Sequence, residues 1–348
     1  MNPDVVSGLS RTRPPMSGAN RIDSAERRAR RWIATAALVF VAAAALLPLA
    51  GPSPLDVSRV WARQDPDWSI FVQLRLSRTL LGLLAGGALA LGGSIFQAML
   101  RDALATPDTL GISSGASLGA VAAIAMGAYV AAGVSGIWIG AFCGALTVLV
   151  VVIGAATSRR EISAYGLLLA GVAANSVCWA LVLLIHSLSG VSQSFAISRW
   201  LIGSLDAIAY RTLGAFGLLV GVVAVLVVRR AREWNLLAVG DAWAATRGGD
   251  VRRLLRFGYV SGSLLAASTV ALTGPIAFIS LVVPHLVRVR ISADDRILMP
   301  CAFFFGGVLL AACDALGRVI LAPAEVPAGA ITACIGGPYL IWLLRRRV

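Results

Sequence analysis

Apolar runs long enough to cross a lipid bilayer recur along almost the whole of this sequence, and they confine it to a bundle of membrane helices. A crossing helix needs about twenty predominantly apolar residues, and only backbone that satisfies its own hydrogen bonds survives in hydrocarbon. Reading along the chain, the candidate spans are roughly Trp32–Ala50, Ser77–Leu100, Leu110–Met126, Gly133–Ala156, Tyr165–Ile185, Leu213–Val228, Leu255–Leu272, Pro275–Val289, Leu298–Ile320 and Ala328–Leu344. That makes about ten, of which the third is rich in glycine and the eighth is short. With 58% hydrophobic and 14% charged residues, the chain lacks the polar surface that a soluble core of 348 residues requires.

The formal charge of +13 raises the question of nucleic acid. A nucleic-acid binder gathers its cations on one soluble face, beside aromatics or a known motif. Here the arginines stand between apolar runs, so they report topology, and no nucleic-acid partner is expected. One set of connections holds Arg11 to Arg31, Arg101, Arg159, Arg160, Arg229 to Arg256, Arg288 to Arg296 and Arg345 to Arg347. The alternate set holds only Arg59, Arg63, Arg75, Arg78, Arg199, Arg211 and Arg318. The positive-inside tendency therefore puts both termini on the cytoplasmic side of a cell membrane. Residues 1–31 are polar, carry Pro14, Pro15 and Gly18, and end in a basic cluster; they read as a disordered cytoplasmic segment ahead of a membrane domain over 32–348. A signal peptide is the competing reading of that start, opposed by the long leading segment and the many spans that follow.

All thirty cations are arginine, and the chain has no lysine. A Walker-type phosphate loop needs its lysine, so this chain cannot hydrolyse ATP by that device. The spans are nearly free of ionisable groups, Asp314 and His186 being the main exceptions near outer ends, and no mid-depth carboxylate or histidine relay of a proton-coupled carrier is evident. Two histidines on different spans make neither a nucleophile–base pair nor a metal cluster, so neither catalytic nor metal-ligating residues are assigned. The five cysteines lie singly in apolar runs and read as small packing residues. Glycines at four-residue spacing, Gly82 and Gly86, then Gly111, Gly115 and Gly119, then Gly136, Gly140 and Gly144, suit close helix packing in lipid. The longest inner connection, about 229–254, carries Trp234, Leu236, Leu237 and Trp243, an expense without benefit in a merely solvated loop, so it suits docking to a cytoplasmic partner.

The stretch RLSRTLLGLLAGGALALGGSIFQAMLRDALATPDTLGISSGASLGA at Arg75–Ala120 resembles the signature region of permease subunits of iron-siderophore, haem and vitamin B12 importers. LLLAGVAAN at Leu167–Asn175, RWLIGSL at Arg199–Leu205, GPIAFISLVVPHLVR at Gly274–Arg288 and EVPAGAITACIGGPYLIWLL at Glu325–Leu344 follow in the same order. The resemblance runs from about Ser69 to the C-terminus. It implies an all-α membrane protein with the type II ABC importer permease fold and ten helices per subunit. It also implies a second permease subunit, identical or related, two cytoplasmic ABC ATPases that hold the ATP and Mg²⁺, and an extracytoplasmic binding protein. This chain would carry no cofactor and catalyse no reaction.

The resemblance further implies docking of the binding protein on Arg75, Arg78 and Arg318. ATPase coupling would fall to Gly240, Asp241, Ala242, Ala244, Ala245 and Gly248, and a cytoplasmic gate to Asp102, Leu104, Ala164 and Tyr165. The chain departs from the family pattern at Ser77, Asp102 and Ala103, where proline, asparagine and proline are usual, and at Arg247, usually aliphatic. The implied cargo is an iron chelate, a ferric siderophore first, with haem or cobalamin as alternatives of the same family. An ion-coupled secondary transporter is the alternative of another class.

Overall fold

The computed structural model describes residues 18–52, 55–128, 130–131, 134–158, 161–162, 164–240, 243, 246–247, 250–322 and 324–347. Helices dominate. They are α1 (Gly18–Leu46), α2 (Asp67–Leu100), α3 (Ile112–Ala125), α4 (Gly136–Ala156), α5 (Ala164–Leu188) and α6 (Val191–Ile202). After these come α7 (Tyr210–Arg229), α8 (Ala231–Val239), α9 (Val251–Thr273), α10 (Ile279–Arg290), α11 (Asp295–Ile320) and α12 (Ala328–Arg347). Two-residue antiparallel pairs close the connections before α4 (Val130–Ala131 with Val134–Ser135) and before α5 (Thr157–Ser158 with Glu161–Ile162).

Each apolar stretch of the sequence carries a helix. Seven of the described helices are long and apolar enough to cross a membrane: α1, α2, α4, α5, α7, α9 and α11. The apolar parts of α3 and α12 are shorter, and α10 is a 12-residue helix, so the described residues give seven full-length candidate spans where about ten were expected. One expectation is corrected. The chain is helical from Gly18, so residues 18–31 are not the unstructured segment their polarity suggested. Between Ala19 and Leu47 there is neither proline nor glycine, and arginine, alanine and glutamate are good helix formers, so the first apolar helix extends backward without a break.

α2 is the central helix, buried on nearly all sides. A helix that is apolar or small all round has no solvent face to present, and this one is rich in Gly, Ala and Leu. Its first turns, Ile70–Leu76, wind as a π-helix, and it ends at Arg101 in the left-handed conformation. α11 runs antiparallel along α2 at backbone contact. A side chain at Gly86 would overlap the Gly306 carbonyl and meet Leu310 Cβ at 2.7 Å. The predicted glycine columns act in the same way between α3 and α4: Gly119 faces the carbonyl of Gly140, and Gly144 faces that of Gly115. With no hydrophobic force separating helix from lipid, such backbone approach is what holds membrane helices together.

α6 is 12 residues long and turns at Gly203, whose φ of +75° favours glycine. Gly203 also abuts the Pro275 carbonyl and accepts a hydrogen bond from the Gly329 N–H at 3.2 Å. A helix of that length falls well short of the about twenty residues that a crossing needs.

The packing defines two ends of the bundle. At 1.5 Å per residue, the 24 residues of Ser77–Leu100 separate the ends by about 36 Å. At one end lie the start of α2, the last turn of α11 and the start of α12; at the other lie Arg101, α8 and the start of α11. α1 reaches the first end at Leu49, and α12 departs from it, so the arginine-rich start of α1 and the close of α12 point to the second.

Candidate functional site

The first end gathers charge. Arg75 sits in the π-helical turn, Arg78 one turn later, and Arg318 in the last turn of α11, four residues after Asp314 on the same helix face. Arg78 Nη2 donates to Asp314 Oδ1 at 2.9 Å, while Nε lies 3.0 and 3.1 Å from the two carboxylate oxygens. Its remaining nitrogen, Nη1, donates to Glu325 Oε2 at 2.8 Å. Arg318 Nε is ion-paired with Asp314 Oδ2 at 3.2 Å, without the alignment of a hydrogen bond, and Arg318 Nη2 has no hydrogen-bond partner among the described residues. Arg75 Nη1 donates to the Leu49 carbonyl at 3.1 Å, and its guanidinium lies over Gly51, where a side chain would collide with it.

These groups border a cavity of about 350 Å³, lined also by Ile70, Leu74 and Ala207. The sequence places the three arginines together, and the structure gathers them in one cluster. Their setting is more enclosed than a surface patch: Arg75 and Arg318 are 5% and 3% exposed. Asp314, at 1% exposed, lies between two guanidiniums, whereas Glu325 stands at the rim with 45% of its side chain exposed. The two carboxylates therefore differ in weight. Removing one partner from a buried pair costs about 3–5 kcal/mol, whereas an exposed pair contributes about 0.2–1 kcal/mol.

Sequence reasoning singled out Asp314 as a rare intramembrane acid without giving it this role, and it did not single out Glu325. The i,i+4 spacing of Asp314 and Arg318 was the available signal. For Glu325 no local signal exists, because its partner lies 247 residues away in sequence.

Ser77 shows what replaces the usual proline. Its hydroxyl donates to the Ile208 carbonyl at 2.6 Å, and the Ile208 N–H approaches the same oxygen at 3.2 Å. A serine thus ties α2 to the segment entering α7, a contact proline cannot make.

At the second end, α8 is fastened to the bundle. The Trp234 ring is fully buried against Gly258 of α9 and stacks near Phe257 with centroids 6.3 Å apart. Asn235 Nδ2 donates to Asp294 Oδ1 at 2.7 Å, and Asn235 Oδ1 accepts from the Asp295 N–H at 2.9 Å. One amide therefore grips the N-terminus of α11 from both of its own ends. Gly240, with φ +150°, closes α8, and a side chain there would come within 4.0 Å of Arg101 Nη1. Gly240 therefore lies beside Arg101, the residue before Asp102.

Asp102 caps its own turn, accepting from the Leu104 N–H at 2.9 Å, and Leu104 is 49% exposed. Ala164 opens α5, and Tyr165 is 74% exposed. The loop holding Asp102 and Leu104 meets α5 where Leu110 and Gly111 pack against Gly171. Of the coupling residues, Asp241, Ala242, Ala244, Ala245 and Gly248 lie outside the described residues. Arg247, the departure from an aliphatic pattern, places its guanidinium 5.2 Å from the Trp243 ring centroid.

Comparison with known proteins gives a consistent result. The pattern of the FecCD transport family matches residues 36–346. The hemin transport system permease protein HmuU of Yersinia pestis is 38% identical over 308 residues, covering 85% of this chain and 90% of that protein. The vitamin B12 import system permease protein BtuC of Klebsiella pneumoniae is 34% identical over 326 residues, covering 92% and 95%. A solved inward-facing structure of a metal-chelate type ABC transporter aligns with a TM-score of 0.79 at 26% identity, covering 91% of this chain and 99% of that one.

Proposed function

The chain belongs to the FecCD transport family as a permease of an ABC importer, and from that premise we propose that it moves an iron chelate of the ferric siderophore class across a bacterial inner or plasma membrane. The observation that carries the importer reading is the family match over residues 36–346 in a chain with no lysine. A permease of this composition has a membrane path but no Walker loop, so ATP, as the energy source of an ABC importer, must be bound and hydrolysed by a second protein. The relatives are named for hemin and vitamin B12, which favours haem or cobalamin as the second reading of the cargo. Competition of each unlabelled compound against uptake of a labelled iron chelate separates these.

The proposed assembly contains a second copy or relative of the permease, two cytoplasmic ABC ATPases and an extracytoplasmic binding protein. The arginine-rich second end supports a cytoplasmic placement of both termini and of the connection containing Gly240. The first end then faces the binding protein, and its three clustered guanidiniums, Arg75, Arg78 and Arg318, support attraction of an acidic surface. Broad apolar faces on α1 and α5, with Leu169, Leu183 and Leu184 exposed, suit lipid and a second permease subunit.

Mechanically, α2 and α11 form a strut between the ends. The Arg78–Asp314 contact joins them at one end, while Asn235 and the Gly240–Arg101 proximity connect that strut to α8 at the other. Closure of the ATPases on the Gly240 connection would push α8, and through Asn235 it would move α11 against α2. The permease thus shifts between inward- and outward-open populations according to which state its partners bind more tightly. Purification in mild detergent should bring down a Walker-containing ATPase with this chain. Recovery of the chain alone, from cells where uptake is intact, would count against the assembly.

A further inference from the structure

We propose that Glu325 is an exchangeable counter-carboxylate, holding Arg78 until an acidic group of the docking protein replaces it and so releases the outer start of α12. The proposal rests on the reading of the arginine end as a docking surface. Its basis is the unequal standing of the two carboxylates. Asp314 holds Arg78 through three contacts between 2.9 and 3.1 Å, also pairs with Arg318, and is 1% exposed, so an incoming group cannot displace it without stranding buried charge. Glu325 makes one contact, at 2.8 Å, from a half-exposed position.

The cavity beside this pair has room for a carboxylate side chain at about 350 Å³. It is lined by Arg318, which is 3% exposed and whose Nη2 lacks a hydrogen-bond partner among the described residues. An incoming carboxylate therefore meets Arg78 Nη1 beside a second guanidinium, Arg318, whose positive charge adds to the attraction. The exchange replaces one carboxylate on Arg78 with another, so the guanidinium is never left with Nη1 unpaired.

The consequence follows from where Glu325 stands. The next residue, Val326, donates its N–H to the Gly317 carbonyl at 3.0 Å, and Gly329 donates to Gly203 at 3.2 Å. Glu325 is thus the side-chain tether on a link whose other ties are backbone bonds into α11 and the Gly203 turn. Freeing it loosens the entry to α12 without disturbing the buried Arg78–Asp314–Arg318 triad. Docking is reported to the last helix through one surface residue.

The test uses the whole importer in lipid nanodiscs and, as probe, the purified binding protein that supports its uptake in proteoliposomes. Glu325→Gln is expected to tighten binding about threefold to tenfold near 50 mM salt, a gain that shrinks as salt is raised, and Glu325→Asp should stay near the parent. A spin label at Ala330 should be as mobile in Glu325→Gln alone as in the parent chain with the binding protein bound. Equal or weaker binding by Glu325→Gln, with an unmoved label, overturns the proposal while the docking reading stands. Parent-like binding by Arg78→Gln overturns the docking reading itself, and the proposal with it.

Discussion

Replacing Asp314 with alanine is expected to destabilise the bundle by about 3–5 kcal/mol. The carboxylate is 1% exposed and sits between Arg78 and Arg318, the latter only 3% exposed. Without it, Arg318 loses its ion pair on α11, and Arg78 keeps only the rim contact with Glu325. Buried guanidinium keeps its charge, so that charge must be hydrated by deforming the helix ends. Thermal unfolding of the detergent-purified protein measures the effect. A midpoint within error of the parent would mean that water already reaches this cluster and that its arginines are solvated surface groups.

The second large effect is expected at Trp234. Truncation to alanine empties the notch between α8 and Gly258 of α9 and removes the stacking on Phe257. Loss of a buried tryptophan costs about 3–5 kcal/mol where the site cannot collapse. Here the loss falls on the seam between α8 and the bundle, so the main result is uncoupling: ATP hydrolysis by the assembled complex continues, while uptake falls by about tenfold or more. Parallel assays of phosphate release and of labelled chelate accumulation in one proteoliposome preparation measure this. Proportional loss of both activities would place Trp234 in assembly and not in transmission. Asn235→Leu, which keeps the volume but breaks the amide bridge to Asp294 and Asp295, should give the same split with a smaller loss of stability.

The arrangement of helices was largely legible because its cause is local. Apolar length and glycine spacing are properties of contiguous sequence, and every stretch read as apolar holds a helix, with Gly115, Gly119, Gly140 and Gly144 meeting as their spacing suggests. The start of α1 was misread because polarity was taken as disorder. A run of arginine, alanine and glutamate after Gly18 keeps good helix propensity without being apolar.

The arginine end was legible in membership and not in detail. Arg75, Arg78 and Arg318 do meet, but the acid that organises them lies on the same helix as only one of the three. Asp314 reaches Arg78 across 236 residues of sequence, and Glu325 reaches it across 247. No window-based reading captures pairs set by helix packing. The same holds for Ser77, whose partner Ile208 is 131 residues distant, and for Asn235, whose amide finds α11 only after the bundle has closed.

The central claim is that this chain is a path without an engine. Proteoliposomes should therefore be prepared with the purified permease alone, and with the permease plus its ATPase and binding protein, and filled with ATP or a non-hydrolysable analogue. The account predicts accumulation of labelled iron chelate only with all components and hydrolysable ATP, and no effect of collapsing an imposed proton or sodium gradient. Uphill accumulation by the permease alone, driven by such a gradient, would contradict it.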